Sequence, residues 1–366
     1  MALAWRNLWQ SKTRLGLSVA AVSLAIALIL LLNGLLSGVS RQVAQYPEHA
    51  PGSVVVAQEG VANLLAATSL LPPGTVERVG AVEGVRRAVP ILSQFVILDL
   101  HDRKQPVYLV GYDSALGGGP WSMAEGRESV TDEEAVVDRV LARRHGLEVG
   151  DRFELQGKAF TVAGLAGGAS TTIGSFVFLR RSAAEALVGA PGVSSYLFVT
   201  PEPGLSARAL AARLDALPGV FALTKQQLIE NDQAFIGDVF NKPLWLMVGI
   251  AFFVGTLVVG LVTYTATVER RREYGVLKAI GAGNRGLYTV VAGQALIATL
   301  AGAFGGVVLA FGASALIEQL RPQFLVLIEP VAIARSLVAG LAIALLAALA
   351  PARVIAGLAP ADVFRR

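Results

Sequence analysis

Four long apolar stretches dominate the pattern of hydrophobic and polar positions along the chain. The first runs without a charge from Leu15 to Ser40, the second covers Pro243–Val268, the third about Leu287–Ile317 and the fourth Val331–Leu349. An α-helix rises about 1.5 Å per residue, so each stretch is about long enough to cross a hydrocarbon core of about 30 Å. The pattern therefore predicts four transmembrane helices.

The pattern changes between the first and second stretches. From about Arg41 to Lys242, short runs rich in β-branched and aromatic residues alternate with glycine and proline turns and with helical periodicity. We expect a mixed α+β extracytoplasmic domain here, with a hairpin turn at residues 101–105 and a helix that leads directly into the second span. Strand candidates begin at Val54, Ile91, Pro106, Ala135, Arg152, Ala159, Ser175 and Ser195, and helix candidates cover Pro73–Val82, Ser206–Leu217 and Lys225–Phe240.

Basic residues flank the apolar stretches in three groups. Because cytoplasmic segments retain basic residues, these groups predict a multi-pass protein of the inner (cytoplasmic) membrane with both termini in the cytoplasm. The loop Glu318–Pro330 is then expected outside. A cleavable signal has only about 7–15 apolar residues, so the first stretch is interpreted as an uncleaved anchor. The groups are Arg6, Lys12 and Arg14 before the first stretch, Arg270, Arg271, Arg272, Lys278 and Arg285 after the second, and Arg353, Arg365 and Arg366 after the fourth.

The composition agrees with the membrane class. Hydrophobic residues make up 54% of the chain and charged residues 16%, whereas soluble proteins carry about 25% charged residues. The net charge of +4 is uneven, because residues 41–242 carry −4 and the remainder +8. The positive excess lies beside the apolar stretches and indicates membrane orientation, not a nucleic-acid partner. The absence of cysteine excludes disulfides and thiolate metal ligands.

The sequence offers no catalytic motif. The pair Gly157 and Lys158 is followed by Ala159 and lacks the upstream glycine of a phosphate-binding loop, so the chain is not expected to hydrolyse ATP by itself. No serine lies in a GxSxG motif. We predict a non-enzymatic chain without a cofactor or a metal of its own. The three histidines are far apart and form no metal-binding pattern: His49, His101 and His145.

Small residues and one arginine stand out within the apolar stretches. Gly34 with Gly38, and Gly302 with Gly306, have the spacing that allows close approach of helices. We interpret these pairs as packing within one subunit, with a dimer interface as the alternative. Arg335 lies about one turn inside the fourth stretch, and its side chain is expected to extend to the membrane interface, with a functional groove as the alternative.

A glycine-rich segment interrupts the predicted extracytoplasmic domain. Gly117–Trp121 reads GGGPW, with three glycines followed by Pro120 and Trp121. Glycine and proline favour tight turns, so a structural loop that positions the aromatic ring is the preferred interpretation. A ligand site is the alternative.

The segment after the second span carries the densest sequence signal. Val268–Ala282 reads VERRREYGVLKAIGA and is expected to form a short amphipathic helix. Val276, Leu277 and Ile280 are predicted to share an apolar face. A basic loop that only sets the topology would explain the three arginines but not the ordered string E-R-x-x-E-x-G-x-L-K-A-x-G-A. The charged positions available to water, headgroups or a docking protein are Glu269, Arg270, Arg272, Glu273 and Lys278.

This string resembles the signature of the FtsX-like permease domain in MacB/FtsX-type (type VII) ABC transporters. The beginning of the chain, LAWRNLWQSKTR, is similar to the basic entry helix of that family, and PARVIAGLAPADVFR is similar to its closing motif, with Phe364 in place of the usual Leu. The order of one span, a large domain and three further spans also matches. The domain between the spans most resembles that of DevC-like permeases.

The resemblance implies an ABC transporter permease that works as a homodimer with a separate cytoplasmic ATPase, which would bind ATP and Mg. It implies mechanotransmission, in which ATP hydrolysis moves the MacB-like domain, and export of a lipid or other hydrophobic or amphiphilic substrate, with a membrane fusion or adaptor protein as a further partner. The alternative is an FtsX-like regulator of a cell-wall hydrolase that transports nothing. The ATPase-coupling residues implied are Glu269, Arg270, Glu273, Gly275, Leu277, Lys278 and Gly281.

These expectations define three parts of the chain. Residues 1–40 comprise the cytoplasmic entry helix and the first transmembrane helix, and residues 41–242 form the extracytoplasmic α+β domain. Residues 243–366 form the three-helix FtsX-like permease domain in the lipid bilayer. This last part contains the coupling segment 269–286 and the C-terminal tail.

Overall fold

The computed structural model describes residues 12–100, 103–172 and 174–357. The predicted entry helix up to residue 11 and the end of the closing motif, residues 358–366, lie outside the described residues. Numbered in chain order, the elements are α1 (Lys12–His49), β1 (Val54–Gln58), α2 (Thr75–Gly80), β2 (Val85–Leu100), β3 (Arg103–Tyr112), β4 (Met123–Gly126), β5 (Glu134–Asp138), α3 (Arg139–His145), β6 (Arg152–Leu155), β7 (Lys158–Ala166), β8 (Ser175–Arg180), α4 (Arg181–Val188), β9 (Tyr196–Pro201), α5 (Ala207–Leu214), β10 (Val220–Thr224), α6 (Lys225–Glu269), α7 (Arg271–Ala279), α8 (Asn284–Leu320) and α9 (Pro330–Ala356).

The chain divides into two compact units. The helical unit comprises Met1–Ser37, Phe240–Arg321 and Val326–Arg366, and the sheet unit comprises Gly38–Val239 with Pro322–Leu325. Helices α1 and α6 each contribute residues to both units. The helix predicted to lead into the second span is therefore part of one continuous helix of 45 residues.

Four helices of the described residues are long and apolar enough to cross a membrane. They are α1, α6, α8 and α9, with mean hydropathy between 2.0 and 2.7 in their most apolar windows. Because a bilayer provides no hydrogen bonds to the backbone, helices of this length satisfy their own peptide groups. The prediction of four transmembrane helices is confirmed.

The glycines of α8 pack against α1 in the same chain. A Cβ atom at Gly302 would lie 2.5 Å from Cβ of Val22, and one at Gly306 would lie 2.7 Å from Cβ of Ile26. Ser23 Oγ also donates a 2.9 Å hydrogen bond to the carbonyl of Gly302. This pair of glycines therefore serves packing within one subunit, which was the preferred interpretation.

A mixed sheet forms the centre of the sheet unit. Its strands lie in the order β10-β1-β9-β2-β3-β8-β5-β7-β4, and β6 pairs with β7. The pairs β3–β8 and β5–β7 are parallel and the others antiparallel. The predicted α+β domain between the first and second membrane helices is confirmed.

Both faces of the sheet are buried. Alternate strand residues point to opposite faces, so that Val55 and Val136 belong to one core cluster while Val54 and Val137 face the other way. Helices α2 and α5 pack against the face of Val54, and α3 and α4 against that of Val137. This double burial explains why the strands are rich in apolar residues on both sides.

Local signals located several elements closely. Ser206 accepts a 3.2 Å hydrogen bond from the backbone N–H of Ala209 and begins α5, as predicted. The hairpin prediction was too long, because Arg103 already pairs with Leu100 at the start of β3. Strands β4 and β10 were missed because β4 is short and largely exposed and β10 directly follows a helix stop.

The GGGPW loop has a structural role in the sheet unit. Gly117 and Gly118 have φ values of 91° and 88°, which glycine adopts without strain. Tyr46 Oη donates a 2.9 Å hydrogen bond to the carbonyl of Gly118. The ring of Trp121 stacks on His49 with a centroid distance of 5.3 Å. The loop positions an aromatic ring, in agreement with the preferred interpretation.

The first turns of α6 are held by hydrogen bonds within the sheet unit. Buried Asp232 accepts bonds from the backbone N–H groups of Leu64 and Leu65, at 2.9 and 3.1 Å. Asn231 Nδ2 donates to the carbonyl of Ala62 at 2.7 Å, and Lys225 Nζ donates to that of Ala50 at 2.6 Å. The start of α6 is therefore fixed to the sheet unit by polar contacts along successive turns.

Replacement of Gly302 by Ala is expected to lower the free energy of unfolding by about 1–3 kcal/mol, because the added methyl overpacks the contact with Val22. Gly312→Ala is the matched control on the same helix, since a methyl added there would meet no atom within 4 Å. The control should be neutral or stabilising by up to about 1 kcal/mol through helix propensity. Unfolding by sodium dodecyl sulfate in detergent micelles measures both, and equal stabilities of the two variants would contradict the packing assignment.

Candidate coupling site

A short helix separates the second and third membrane helices. Helix α6 ends at Glu269, and Arg270 leaves the helical conformation with φ −93° and ψ 11° before α7 begins. After α7, Gly281 has a φ of 101° and its N–H bonds to the carbonyl of Lys278 at 3.0 Å. Glycine adopts this left-handed conformation without a Cβ clash, so Gly281 ends the short helix.

One side of α7 is anchored by apolar packing. Tyr274, with 4% of its surface exposed, forms a cluster with Leu287 and Val291 of α8 and Ile355 of α9, and Leu277 packs against this cluster. Burial raises the pKa of the Tyr274 hydroxyl above its ordinary value. The cluster thus joins three helices of the helical unit.

The ammonium group of Lys278 adds a polar anchor. Its Nζ donates hydrogen bonds to the carbonyls of Ile355 at 2.7 Å and Ala356 at 3.3 Å. These carbonyls belong to the last turn of α9, where backbone acceptors lack partners within the helix and the helix dipole favours a positive charge. Lys278 therefore connects α7 to the end of α9.

The opposite side of α7 is exposed. Glu273 and Val276 of α7 and Ile280, which directly follows the helix, lie at spacings of three and four residues and share a face, with Val276 44% and Ile280 76% exposed. The predicted apolar face of Val276, Leu277 and Ile280 was wrong in one member. Leu277 is turned by about 100° from Val276 around the helix and joins the buried cluster instead.

The structure brings the predicted coupling residues into one continuous segment but gives them different surroundings. Glu269 is exposed and Arg270 half-buried, and each has an interaction within the chain. Gly275 is buried on the side of Tyr274. Among the predicted residues, Glu273 is the charged position most clearly presented to a partner. The role of the segment in coupling stays a prediction.

Sequence reasoning missed the residues that hold α7 in place. Tyr274 and Leu277 lie three residues apart, and Leu287 and Val291 four residues apart, so helical spacing could have marked each pair as one face. Nothing local connects either pair with Ile355, which lies far along the chain. The bond from Lys278 to the end of α9 likewise has no local sequence signal.

Replacement of Lys278 by Met keeps an apolar stem but removes the ammonium group, so the last turn of α9 should open more readily. We expect amide exchange in residues 353–357 to accelerate about tenfold, since a hydrogen bond to a charged group contributes about 1.5–3 kcal/mol. Hydrogen exchange with mass spectrometry measures this. Arg272→Met is the control because Arg272 is exposed on the same helix. Equal exchange in the two variants would show that Lys278 does not anchor α9.

Comparison with known proteins assigns two regions of the chain. Residues 15–217 match the MacB-like periplasmic core domain, and residues 245–360 match the FtsX-like permease C-terminal region. The first match alone spans more than half of the chain. The second contains α7 and all the residues of its buried cluster.

Individual proteins show the same similarity over nearly the whole length. An ABC transporter permease of Mycobacterium tuberculosis strain H37Rv is 26% identical, over 99% of this chain and 98% of its own. A protein named as the permease HrtB of a hemin transport system in Staphylococcus haemolyticus is 20% identical, over 88% of this chain and 87% of its own. The crystal structure of the periplasmic region of MacB from Actinobacillus actinomycetemcomitans covers 50% of this chain and 94% of its own, at 11% identity and a TM-score of 0.37.

Proposed function

Since the chain belongs to the MacB/FtsX-type ABC transporter permeases, we propose that it is a non-catalytic subunit that couples ATP hydrolysis by a separate ATPase to movement of its sheet unit. An ABC transporter permease acts together with an ATPase subunit. In this proposal ATP and Mg bind to that partner, and this chain holds no cofactor. The observation that carries the proposal is the exposed face of α7, formed by Glu273, Val276 and Ile280.

That face has the chemistry of a docking helix. Two exposed apolar side chains at a spacing of four residues can enter a groove of a partner, and Glu273 beside them can pair with a basic group. An isolated helix of nine residues has little stability in water. The buried cluster around Tyr274 and the bond from Lys278 to α9 supply the support that the helix needs.

The path for movement runs through the covalent chain. Helix α7 follows α6 after a break at Arg270 alone, and α6 extends back to Lys225 with Pro243, which cannot donate a backbone hydrogen bond, in its interior. The first turns of α6 are bonded within the sheet unit through Asp232, Asn231 and Lys225. A force on α7 can thus be carried along one helix to the sheet unit, which is the element that mechanotransmission requires.

The same proposal includes a transport role. The chain would export a lipid or another amphiphilic molecule as a homodimer, with a membrane fusion or adaptor protein as a further partner in the assembly. The relatives named as transporter permeases support transport over regulation of a cell-wall hydrolase. Export of amphiphile that stops when the partner ATPase is inactivated separates the two roles, because a hydrolase regulator would change wall cleavage and leave lipid distribution unaltered.

The orientation of the chain is part of the proposal. The positive groups beside the spans favour a cytoplasmic location for α7 and for both termini, in the inner membrane, and an extracytoplasmic location for the sheet unit. We expect a membrane-impermeant maleimide to label Ser114→Cys in intact cells but to label Gly283→Cys only after permeabilisation. Both positions lie outside the membrane helices, and the native chain has no cysteine. The reverse labelling pattern would overturn the orientation.

Charge reversal at α7 tests the coupling role. Glu273→Lys should weaken binding of the ATPase by about 1–3 kcal/mol if this carboxylate is paired in the interface. Gly281→Val places a β-branched residue at a φ of 101°, so it should disturb the end of α7 and lower transport-linked ATP turnover. Co-purification of the ATPase and ATP turnover are compared at equal permease abundance.

Glu318→Lys provides the control for the charge change, because Glu318 is exposed near the opposite end of α8. It should leave assembly and turnover unchanged. Wild-type assembly and turnover in both Glu273→Lys and Gly281→Val would refute the coupling role of the segment. Equal loss in Glu318→Lys would attribute the effect to net charge and not to α7.

A further inference from the structure

A cavity lies among three helices of the helical unit. It has a volume of about 340 Å³, is lined by α1, α6 and α9 and is open on one side. Its lining is largely apolar, and Trp245, with 73% of its surface exposed, lies at its rim. The volume falls in the range of about 300–1,000 Å³ that is typical of small-molecule sites. The cavity shares no lining residue with α7 and has no part in the coupling site.

Four polar side chains from three helices line this otherwise apolar cavity. Three of them are Asn33 of α1, Asn241 of α6 and Arg335 of α9. Asn33 uses its Nδ2 group for a 2.8 Å hydrogen bond to the carbonyl of Ile29, which leaves its side-chain oxygen available. Ser336 also lines the cavity, but its hydroxyl donates to the carbonyl of Ile333 at 2.8 Å. The free donors are therefore concentrated on Asn241 and Arg335.

Arg335 gives the cavity its charge. It is the only charged residue in the lining, and in the described part of the chain its guanidinium makes no hydrogen bond or ion pair. It is the sixth residue of α9, about 8 Å along the axis from the start of the helix. Arginines inside spans usually face a cavity or a partner, and near a helix end they can also extend to the membrane interface.

Extension of Arg335 to the membrane interface would account for a charged residue in this span. It would not account for the polar residues of α1 and α6 beside it. A side chain that only snorkels needs no polar residues from α1 and α6 beside it. Convergence of polar groups from three helices on an otherwise apolar cavity is instead the usual composition of a ligand site. With a cation and no carboxylate among the described residues of the lining, the complementary ligand has an apolar body and a negatively charged end.

We propose that this cavity binds a membrane amphiphile with an anionic headgroup, which Arg335 holds while the hydrocarbon chain lies against Trp245 and Phe252. A guanidinium group pairs with a phosphate or carboxylate through two parallel hydrogen bonds, and Asn241 can add a further donor. The amphiphile enters from the lipid, because the rim at Trp245 is exposed on the apolar surface of the helices. The binding itself is independent of the proposed function, and only its meaning as cargo rests on that function.

Tryptophan quenching tests the site in the intact protein. The protein is placed in nanodiscs of phosphatidylcholine that contain a few per cent of brominated phosphatidylglycerol or, in a parallel series, brominated phosphatidylcholine. The difference in fluorescence between the wild type and Trp245→Phe gives the emission of Trp245 alone. We expect about a tenfold preference for the anionic lipid, the size that one good charge-assisted contact supplies.

Two substitutions separate the cavity from general surface charge. Arg335→Gln should abolish the preference for the anionic lipid, whereas Lys242→Gln should keep it, because Lys242 lies three residues before Trp245 but does not line the cavity. Ala339→Phe fills the cavity without a change of charge and should also reduce quenching by the anionic lipid. An equal preference in wild type and Arg335→Gln, or an equal loss in Lys242→Gln, would overturn the proposal.

The results also separate a failure of the cavity proposal from a failure of the proposed transport function. ATPase co-purification is measured with Arg335→Gln and should equal wild type, since α7 is unaltered. A charge-dependent preference in a protein that exports no amphiphile would leave the cavity assignment intact and refute the transport role. Export that continues at the wild-type rate with no lipid preference at Trp245 would refute the cavity and leave the transport role intact.

Discussion

The inability of a bilayer to hydrogen-bond a peptide backbone is the constraint on which this architecture depends. It restricts the apolar stretches to helices, whose peptide groups bond within the same segment, and it leaves all ten described strands in the polar part of the chain. Contacts between segments of the helical unit add to these bonds. The last carbonyls of α9 receive the ammonium group of Lys278, and the carbonyl of Gly34 in α1 accepts the N–H of Leu327 at 2.9 Å. These contacts satisfy backbone groups and join segments of the helical unit at the same time.

Packing against the membrane helices gives α7 a defined position. A helix of this length is too short to be stable alone, and its buried side draws on residues of α8 and α9 while its exposed side keeps Glu273, Val276 and Ile280 in a fixed register. One side of this short helix thus packs against the membrane helices, and the opposite side is available to a partner. A partner that binds there contacts a surface whose shape is set by the membrane helices behind it.

The sequence predicted the structural features that depend on the pattern of neighbouring residues. Length and apolarity located the four membrane helices, and Ser206 with the Pro218–Gly219 stop delimited α5 to within a few residues. The pairing of Tyr274 with Ile355 and the assignment of Leu277 to the buried side could not be predicted. They are set by contacts between positions distant in the chain, for which neighbouring residues carry no signal. The family resemblance marked the segment that we propose for coupling but gave no information on which of its side chains face inward.

The contact between α1 and α8 carries a consequence for the variation of this sequence. The space that a side chain at Gly302 would need is occupied by Val22, and that at Gly306 by Ile26. A gain of volume on one helix therefore requires a loss on the other, so these positions cannot drift independently. Among homologues of this chain, residues 22 and 302 should covary, with a large residue at one position accompanied by a small residue at the other. The first and third membrane helices thus form an evolutionary pair although the two positions lie far apart in the chain.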